Sequence, residues 1–281
     1  MKKIEKAALF GLGKAGSALF ISLQKADIFV GPLGSRSQKT RHNFRQVHKG
    51  QKLFSDLNDW FDEGIRQKVD VFFLAISDDQ LGDKIAQLDL RAPPSTRLIH
   101  LSAAKGLGVF EGCVNIKGSV FHPLSSLSAS RPIPQGSFVG IMSSDAAPLL
   151  SLAKSAGLDA ARIKDAADYH AGAVMGANLP LALLELGIDA LMRAGLPKER
   201  ARKALALLMG SAAERAFEQP IDKALTGPLA RGDADVVAKH LSILNGLEAE
   251  LYRQLSQLLL NSASHNSENH QALSRVLSKK G

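Results

Sequence analysis

The chain has 281 residues, 45% of them hydrophobic and 22% charged, which indicates a globular protein with sizeable cores and room for two domains. Its net charge of +8 is dispersed and only 5% of residues are aromatic, so stacking platforms for nucleic acid are scarce. Anionic small molecules suit that balance, and only a clustered basic face would point to RNA. The single cysteine, Cys113, excludes an intrachain disulfide and a cysteine-rich metal site.

Met1-Lys2-Lys3-Ile4-Glu5 runs straight into a first strand with no cleavable signal, so a cytoplasmic chain is expected. The apolar run Ala7-Ala8-Leu9-Phe10 reads as a buried strand. Gly11-Leu12-Gly13-Lys14-Ala15-Gly16 then opens onto Ser17 to Leu23, which has helical periodicity. This is the dinucleotide-binding fingerprint in its strand–turn–helix context; the bland alternative is a Gly-rich turn. Gly11 allows the tight turn, Gly13 lets backbone approach a pyrophosphate, and Gly16 lets helix and strand pack closely. The helix offers unpaired N–H groups and its positive end to the phosphates.

Asp27 to Gly31 reads as the second strand, followed by the loop Pro32-Leu33-Gly34-Ser35-Arg36-Ser37-Gln38-Lys39-Thr40-Arg41. A carboxylate there would hold the ribose of NAD, and none is present. The hydroxyls of Ser35 and Ser37 with the loop's three cations suit a 2′-phosphate instead, which predicts NADP held by Ser35, Arg36 and Ser37; a solvated basic loop is the alternative.

Further on, Lys52 to Phe54 suggests a short strand, Leu57 to Ile65 a short helix, and Val69 to Ile76 a buried parallel strand ending at Ser77. Asp78 or Asp79 is expected to cap the next helix, which runs through Leu88. After Pro93-Pro94, strands fit Arg97 to Leu101, Ser119 to His122 and Ser137 to Ile141. The alternation predicts a doubly wound, mainly parallel α/β sheet with ligands at the carboxyl ends of its strands. Ser77 and Ser102 would border the cofactor there, with His122 on the same crevice.

From Asp165 onward helices replace strands, which divides the chain into a nucleotide-binding domain, 1–164, and an all-α domain, 165–281. Helices are expected over Ala166 to Ala194, Lys198 to Phe217 and Ala234 to Leu260, the last capped by Asp233. The most apolar segment, Ala171 to Leu184, is interrupted by Asn178 and Pro180 and reads as too short to span a bilayer. The tail from Asn261 is polar, and its first part is expected to be disordered. Helices this apolar predict a homodimer.

Three stretches carry candidate chemistry. In Tyr169-His170-Ala171-Gly172-Ala173-Val174-Met175-Gly176-Ala177-Asn178, helical spacing puts His170, Val174 and Asn178 on one stripe, with His170 and Asn178 about 12 Å apart along the axis. Gly172 and Gly176 leave that surface bare, and Pro180 predicts a kink. Asn178 could donate to a carbonyl and His170 could transfer a proton; tight helix packing around a core His is the alternative. His122-Pro123 would hold an extended His at a strand end, or form a structural turn. Arg231 could clamp an anionic substrate, though a local pair with Asp233 is the more ordinary reading. The histidines lack metal-ligand spacing, so no metal is expected.

Taken together, Gly11 to Gly16, Ser35-Arg36-Ser37, Phe121-His122-Pro123-Leu124, Tyr169-His170-Ala171 with Asn178, and Leu225-Thr226-Gly227-Pro228 with Arg231-Gly232-Asp233 carry a family resemblance. The chain resembles Rossmann-like proteins with a C-terminal helical domain of unknown function, from about Lys6 to about Leu260. These are relatives of the NADP-dependent oxidoreductases that include ketopantoate reductase, pyrroline-carboxylate reductase and the 6-phosphogluconate dehydrogenase superfamily. The resemblance implies a Rossmann domain followed by an all-α domain, a cleft between them and dimerisation through the helices. In the superfamily's hydroxyacid dehydrogenases a Lys four residues before an Asn is the acid/base. Asn178 matches that Asn and Val174 stands in place of the Lys, so His170 or His122 would move the proton.

The expected function is an NADP(H)-binding oxidoreductase that reduces a small anionic carbonyl or imine compound, with catalytic Asn178, His170 and His122. The rival expectation is a non-catalytic NADP-binding sensor or partner-binding protein. Neither nucleic acid nor a membrane is an expected partner.

Overall fold

The computed structural model describes residues 3–262 and 268–278, in two compact units, Met1–Met175 and Gly176–Gly281. In chain order the first unit contains β1 (Lys6–Phe10), α1 (Lys14–Lys25), β2 (Phe29–Gly34), α2 (Gln38–Val47), β3 (Leu53–Phe54), α3 (Leu57–Arg66), β4 (Val71–Leu74) and α4 (Asp78–Asp89). It continues with β5 (Thr96–His100), β6 (Ile116–Pro123), β7 (Phe138–Ser143), α5 (Ala147–Ser155), β8 (Asp159–Arg162) and α6 (Ala166–Ala177). The sheet order is β3-β2-β1-β4-β5-β6-β7-β8; among the described residues only the β6–β7 pairing is antiparallel.

The strands are apolar on both faces because helices cover both. Ala7 and Leu9 of β1, with Val71 and Phe73 of β4, face a core built with Leu19, Phe20 and Leu23 of α1 and Leu149 and Leu152 of α5. Ala8, Phe10, Phe72 and Leu74 face the opposite core, with Trp60 and Phe61 of α3 and Leu81, Ile85 and Leu88 of α4. Strand order reverses at β1, whose neighbours are β2 and β4, so a crevice opens beyond the carboxyl ends of those strands.

Three local expectations are corrected. Pro32-Leu33-Gly34 belong to β2 rather than to a loop: the register shifts between Ala7 and Leu9, a bulge that absorbs the missing proline N–H, while the Pro32 carbonyl accepts from Trp60 Nε1 at 3.0 Å. Gln38 to Arg41 form the first turn of α2, because the Ser37 hydroxyl accepts from the Thr40 N–H at 3.1 Å. Helix α4 is preceded by Ser77, leaving Asp78 and Asp79 in its first turn, where the helix dipole favours them. Helix α5 and strand β8 have no counterpart among the expected elements.

The second unit holds α7 (Leu179–Arg193), α8 (Lys198–Glu218), α9 (Ile221–Ala224), α10 (Pro228–Arg231), α11 (Ala234–Ile243), α12 (Gly246–Ser262) and α13 (Glu268–Ser278). Helices α7 and α8 pack through small residues, with Gly187 close to Leu205 and Ile188 and Ala201 buried. The third long helix expected from sequence is two: Asn245-Gly246 turns the chain, with Gly246 at φ +42°, and Glu248 accepts from the Asn245 N–H. The segment 263–267, expected to be disordered, lies outside the described residues.

The compact units part at Met175 rather than at residue 164, because α6 begins on the sheet: Tyr169 packs against Phe138, Gly140 and His122. Length corrects another expectation. Helices α6 and α7, joined through Asn178, span 28 residues, Ala166–Arg193, whose most apolar part has a mean hydropathy of 1.5, long and apolar enough to cross a membrane by those measures alone. Only 6% of that part is buried.

Candidate cofactor and active site

The glycine loop after β1 is locked by backbone contacts on two of its three glycines. Gly11 has φ +104°, its N–H donates to the Gly34 carbonyl at 2.8 Å, and a Cβ there would lie 2.0 Å from the Ala75 carbonyl oxygen. A Cβ on Gly16 would lie 1.8 Å from the Gly11 carbonyl oxygen. Gly13 differs: it is exposed, at φ −72° and ψ −163°, with nothing within 4 Å of where its Cβ would be. Protein packing therefore explains Gly11 and Gly16 but not Gly13. The open face above Gly13 and the unpaired N–H groups of α1 are what a dinucleotide pyrophosphate needs. A cleft of about 600 Å³ opens beside it, lined in part by Leu12, Gly13, Lys14, Ser17, Thr40 and Ser128.

Next to this loop, Ser35 is buried while Arg36 and Ser37 are exposed. Arg41 donates to the carbonyls of Ser35 and, at 2.7 Å, Arg36, so this cation braces the turn. The Arg36 guanidinium donates to the Gln80 side chain, bridging the loop after β2 to the first turn of α4.

The carboxyl ends of β4, β5 and β6 gather a second set of groups. Ser102 Oγ donates to Asp78 Oδ2 at 2.8 Å, and Ser77 is exposed beside it. His100 is fully buried: Nδ1 accepts from the Ser102 N–H at 3.2 Å and Nε2 donates to the Gly106 carbonyl at 2.8 Å. Burial pushes its imidazole down to about 4, against the pull of the Gly106 carbonyl and Asp78. His122 is half-buried on β6, with Nδ1 3.1 Å from the Tyr169 hydroxyl. Burial, and then the neighbouring charge of His170, hold His122 below the usual histidine range, while Asp78 pulls it up. Among the described residues no group of three or more His, Cys, Asp or Glu is placed to hold a metal.

Comparison with known proteins agrees with this geometry. Residues 139–259 match the domain of unknown function DUF2520. Three solved structures share the fold: BF3122 from Bacteroides fragilis, described as a candidate NADP oxidoreductase (TM-score 0.70, 19% identity, 92% of this chain and 98% of that one); TM1727 from Thermotoga maritima (0.68, 22%, 92% and 98%); and pyrroline carboxylate reductase from Plasmodium falciparum, solved with NADP bound (0.54, 17%, 98% and 99%). A comparison with curated proteins finds no match. The chain has the Rossmann-like fold of these structures.

Within this Rossmann-like unit the structure brings Gly11 to Gly16 beside Ser35 to Ser37, and gathers Ser77, Ser102, His122 and His170 around Asp78 and Tyr169. Asn178 falls in the second compact unit, exposed, between α6 and α7, with no side-chain capping bond. Gly172 and Gly176 face open space. Arg231 donates to Asp233 at 2.9 Å, the local pair. Three residues around this site were not among the expected functional groups: Asp78 of α4, His100 of β5 and Tyr169 of α6. For Tyr169 there was a signal, because an isolated glycine inside a strand, here Gly140, marks a close approach.

Proposed function

We propose that this protein is an NADP(H)-dependent oxidoreductase that reduces a small anionic carbonyl or imine compound. The observation that carries the reading is the open face at Gly13 in a loop otherwise closed by packing. Gly11, Leu12, Gly13, Lys14, Ala15 and Gly16 would hold the pyrophosphate, and Ser35, Arg36 and Ser37 the 2′-phosphate. Ser77 and Ser102 would border the nicotinamide. The cofactor supplies the hydride; the protein positions the substrate and manages the proton. Asn178 would orient the reacting carbonyl or imine, and His122 or His170 would exchange the proton. The shared fold with an NADP-bound pyrroline carboxylate reductase supports imine-type chemistry.

Val174, in place of a basic residue, favours a second reading, an NADP-binding sensor without turnover. Incubation with NADPH and a panel of small 2-oxo acids and cyclic imines separates the two. Substrate-dependent NADPH oxidation, lost in Asn178→Ala while NADPH affinity is kept, is the expected result. No turnover across the panel favours the sensor.

The apolar helical surface is proposed to pack against a second copy in the cytoplasm. Leu207 is 76% exposed and Phe217 93% exposed, more than scattered surface residues require. Glu185, Asp189 and Arg193 on α7, with Glu185 paired to Lys198 at 3.4 Å, suit a protein neighbour better than hydrocarbon.

A further inference from the structure

We infer that Tyr169 is a positioning residue that fixes His122 as its Nδ1–H tautomer and leaves Nε2 as the atom that gains and loses the proton. This rests on the oxidoreductase reading for its purpose, but its geometry stands without a cofactor. His122 on β6 pairs across the antiparallel ladder with Gly140 on β7. Because Gly140 has no side chain, the Tyr169 ring lies on the sheet: a Cβ there would be 2.7 Å from Cζ and 2.9 Å from Oη. The phenol stands edge-on to the imidazole, with ring centroids 5.6 Å apart and planes at 90°.

Proton counting favours one tautomer. The Tyr169 hydroxyl has one proton, and the His122 main-chain carbonyl lies 3.3 Å away as an acceptor for it. Nδ1 of the same His122 lies 3.1 Å from that hydroxyl oxygen. Both contacts are hydrogen bonds only when Nδ1 carries a proton and donates to Oη. In the other neutral tautomer the hydroxyl would have to serve Nδ1, leaving the carbonyl without it. Nε2 has no hydrogen-bond partner among the described residues. The neutral Nδ1–H form and the imidazolium keep the same two bonds to Tyr169, so Nε2 can take up or release a proton without the ring turning.

The neighbours are consistent with that role. Asp78, at the start of α4, favours the imidazolium, and His170, on the same helix as Tyr169, opposes it. His170 itself has no side-chain hydrogen bond among the described residues, so its ring is not held in one orientation. The pair His122–Tyr169 is thus preferred over His170 as the proton-exchanging group.

Nitrogen-15 NMR of the histidine side chains in the full chain, without cofactor, tests this, with the His122 signals assigned by their loss in His122→Asn. Above its titration His122 is expected to show a protonated Nδ1 and an unprotonated Nε2. Tyr169→Phe should shift most of the population to the Nε2–H form. It should also lower the His122 pKa by about one unit, because only the imidazolium must keep a proton on the orphaned Nδ1. Gly140→Ala, which displaces the ring while keeping the phenol, should reproduce the tautomer change. An Nε2–H form in the wild type, or retention of Nδ1–H in either variant, would overturn the inference. Cofactor titration, which this measurement does not involve, tests the oxidoreductase reading separately.

Discussion

Replacing the three loop glycines one at a time by alanine separates what the fold needs from what a ligand needs. At Gly16 the added Cβ would sit 1.8 Å from the Gly11 carbonyl oxygen, and at Gly11 it would sit 2.0 Å from the Ala75 carbonyl oxygen, at a positive φ as well. Neither backbone can give way cheaply, so each change should cost roughly 3 kcal/mol and lower Tm by roughly 6–12 °C. At Gly13 the same methyl meets nothing within 4 Å, and the backbone is extended, a region alanine adopts freely. Weaker capping of α1 and lower unfolded-state entropy nearly offset one another, leaving stability within about 0.5 kcal/mol of wild type. The methyl would, however, stand where pyrophosphate must approach, so NADPH affinity should fall by at least about tenfold, or about 1.4 kcal/mol. Thermal unfolding paired with calorimetric NADPH titration gives both numbers. If Gly13→Ala binds NADPH as wild type does, or loses as much Tm as Gly16→Ala, the reasoning fails.

Two further outcomes follow from the same structure. The His100 imidazole has a folded pKa of about 4 against an ordinary value of 6.5, so below pH 6.5 the unfolded chain binds the extra proton. Its contribution is complete above pH 6.5 and is lost as pH falls toward 4, about 3 kcal/mol in all; urea unfolding of wild type and His100→Gln should diverge over that window, and parallel pH profiles would contradict it. For the helical surface, sedimentation at micromolar concentration should give a dimer that Leu207→Glu with Phe217→Glu dissociates, and a monomeric wild type would refute the assembly.

The parts of the fold that were legible in the sequence are those where local pattern and tertiary demand agree. The apolar run before Gly11 and the helix after Gly16 needed no long-range knowledge. Val71 to Leu74, buried on both faces, announced a central strand. The misread parts were decided elsewhere in the molecule. Pro32 looks like a loop residue, yet β1 and β3 flank its strand and a bulge accommodates it. Strand β8, Asp-Ala-Ala-Arg, has no alternation because it is a largely exposed edge. The break between α11 and α12 was written in Asn245-Gly246, a turn dipeptide overlooked inside an apolar stretch. At the candidate site, His122 was legible as a residue ending a strand. Its partnership with Tyr169 was not, because 47 residues separate them and the contact depends on Gly140 opposite.

Cofactor selection is the most direct test of the central claim. The loop after β2 carries no carboxylate to bind ribose hydroxyls or repel a 2′-phosphate, and Arg36 presents a planar fork of donors on an exposed turn. Charge-assisted bonds of roughly 1.5–3 kcal/mol each would give NADPH a preference on the order of tenfold to thousandfold over NADH. Titrating both cofactors against wild type and Arg36→Ala should show that preference in the wild type, weakened by salt, and its collapse in the variant. Equal affinity of the wild type for both cofactors, or an unchanged ratio in Arg36→Ala, would contradict the account.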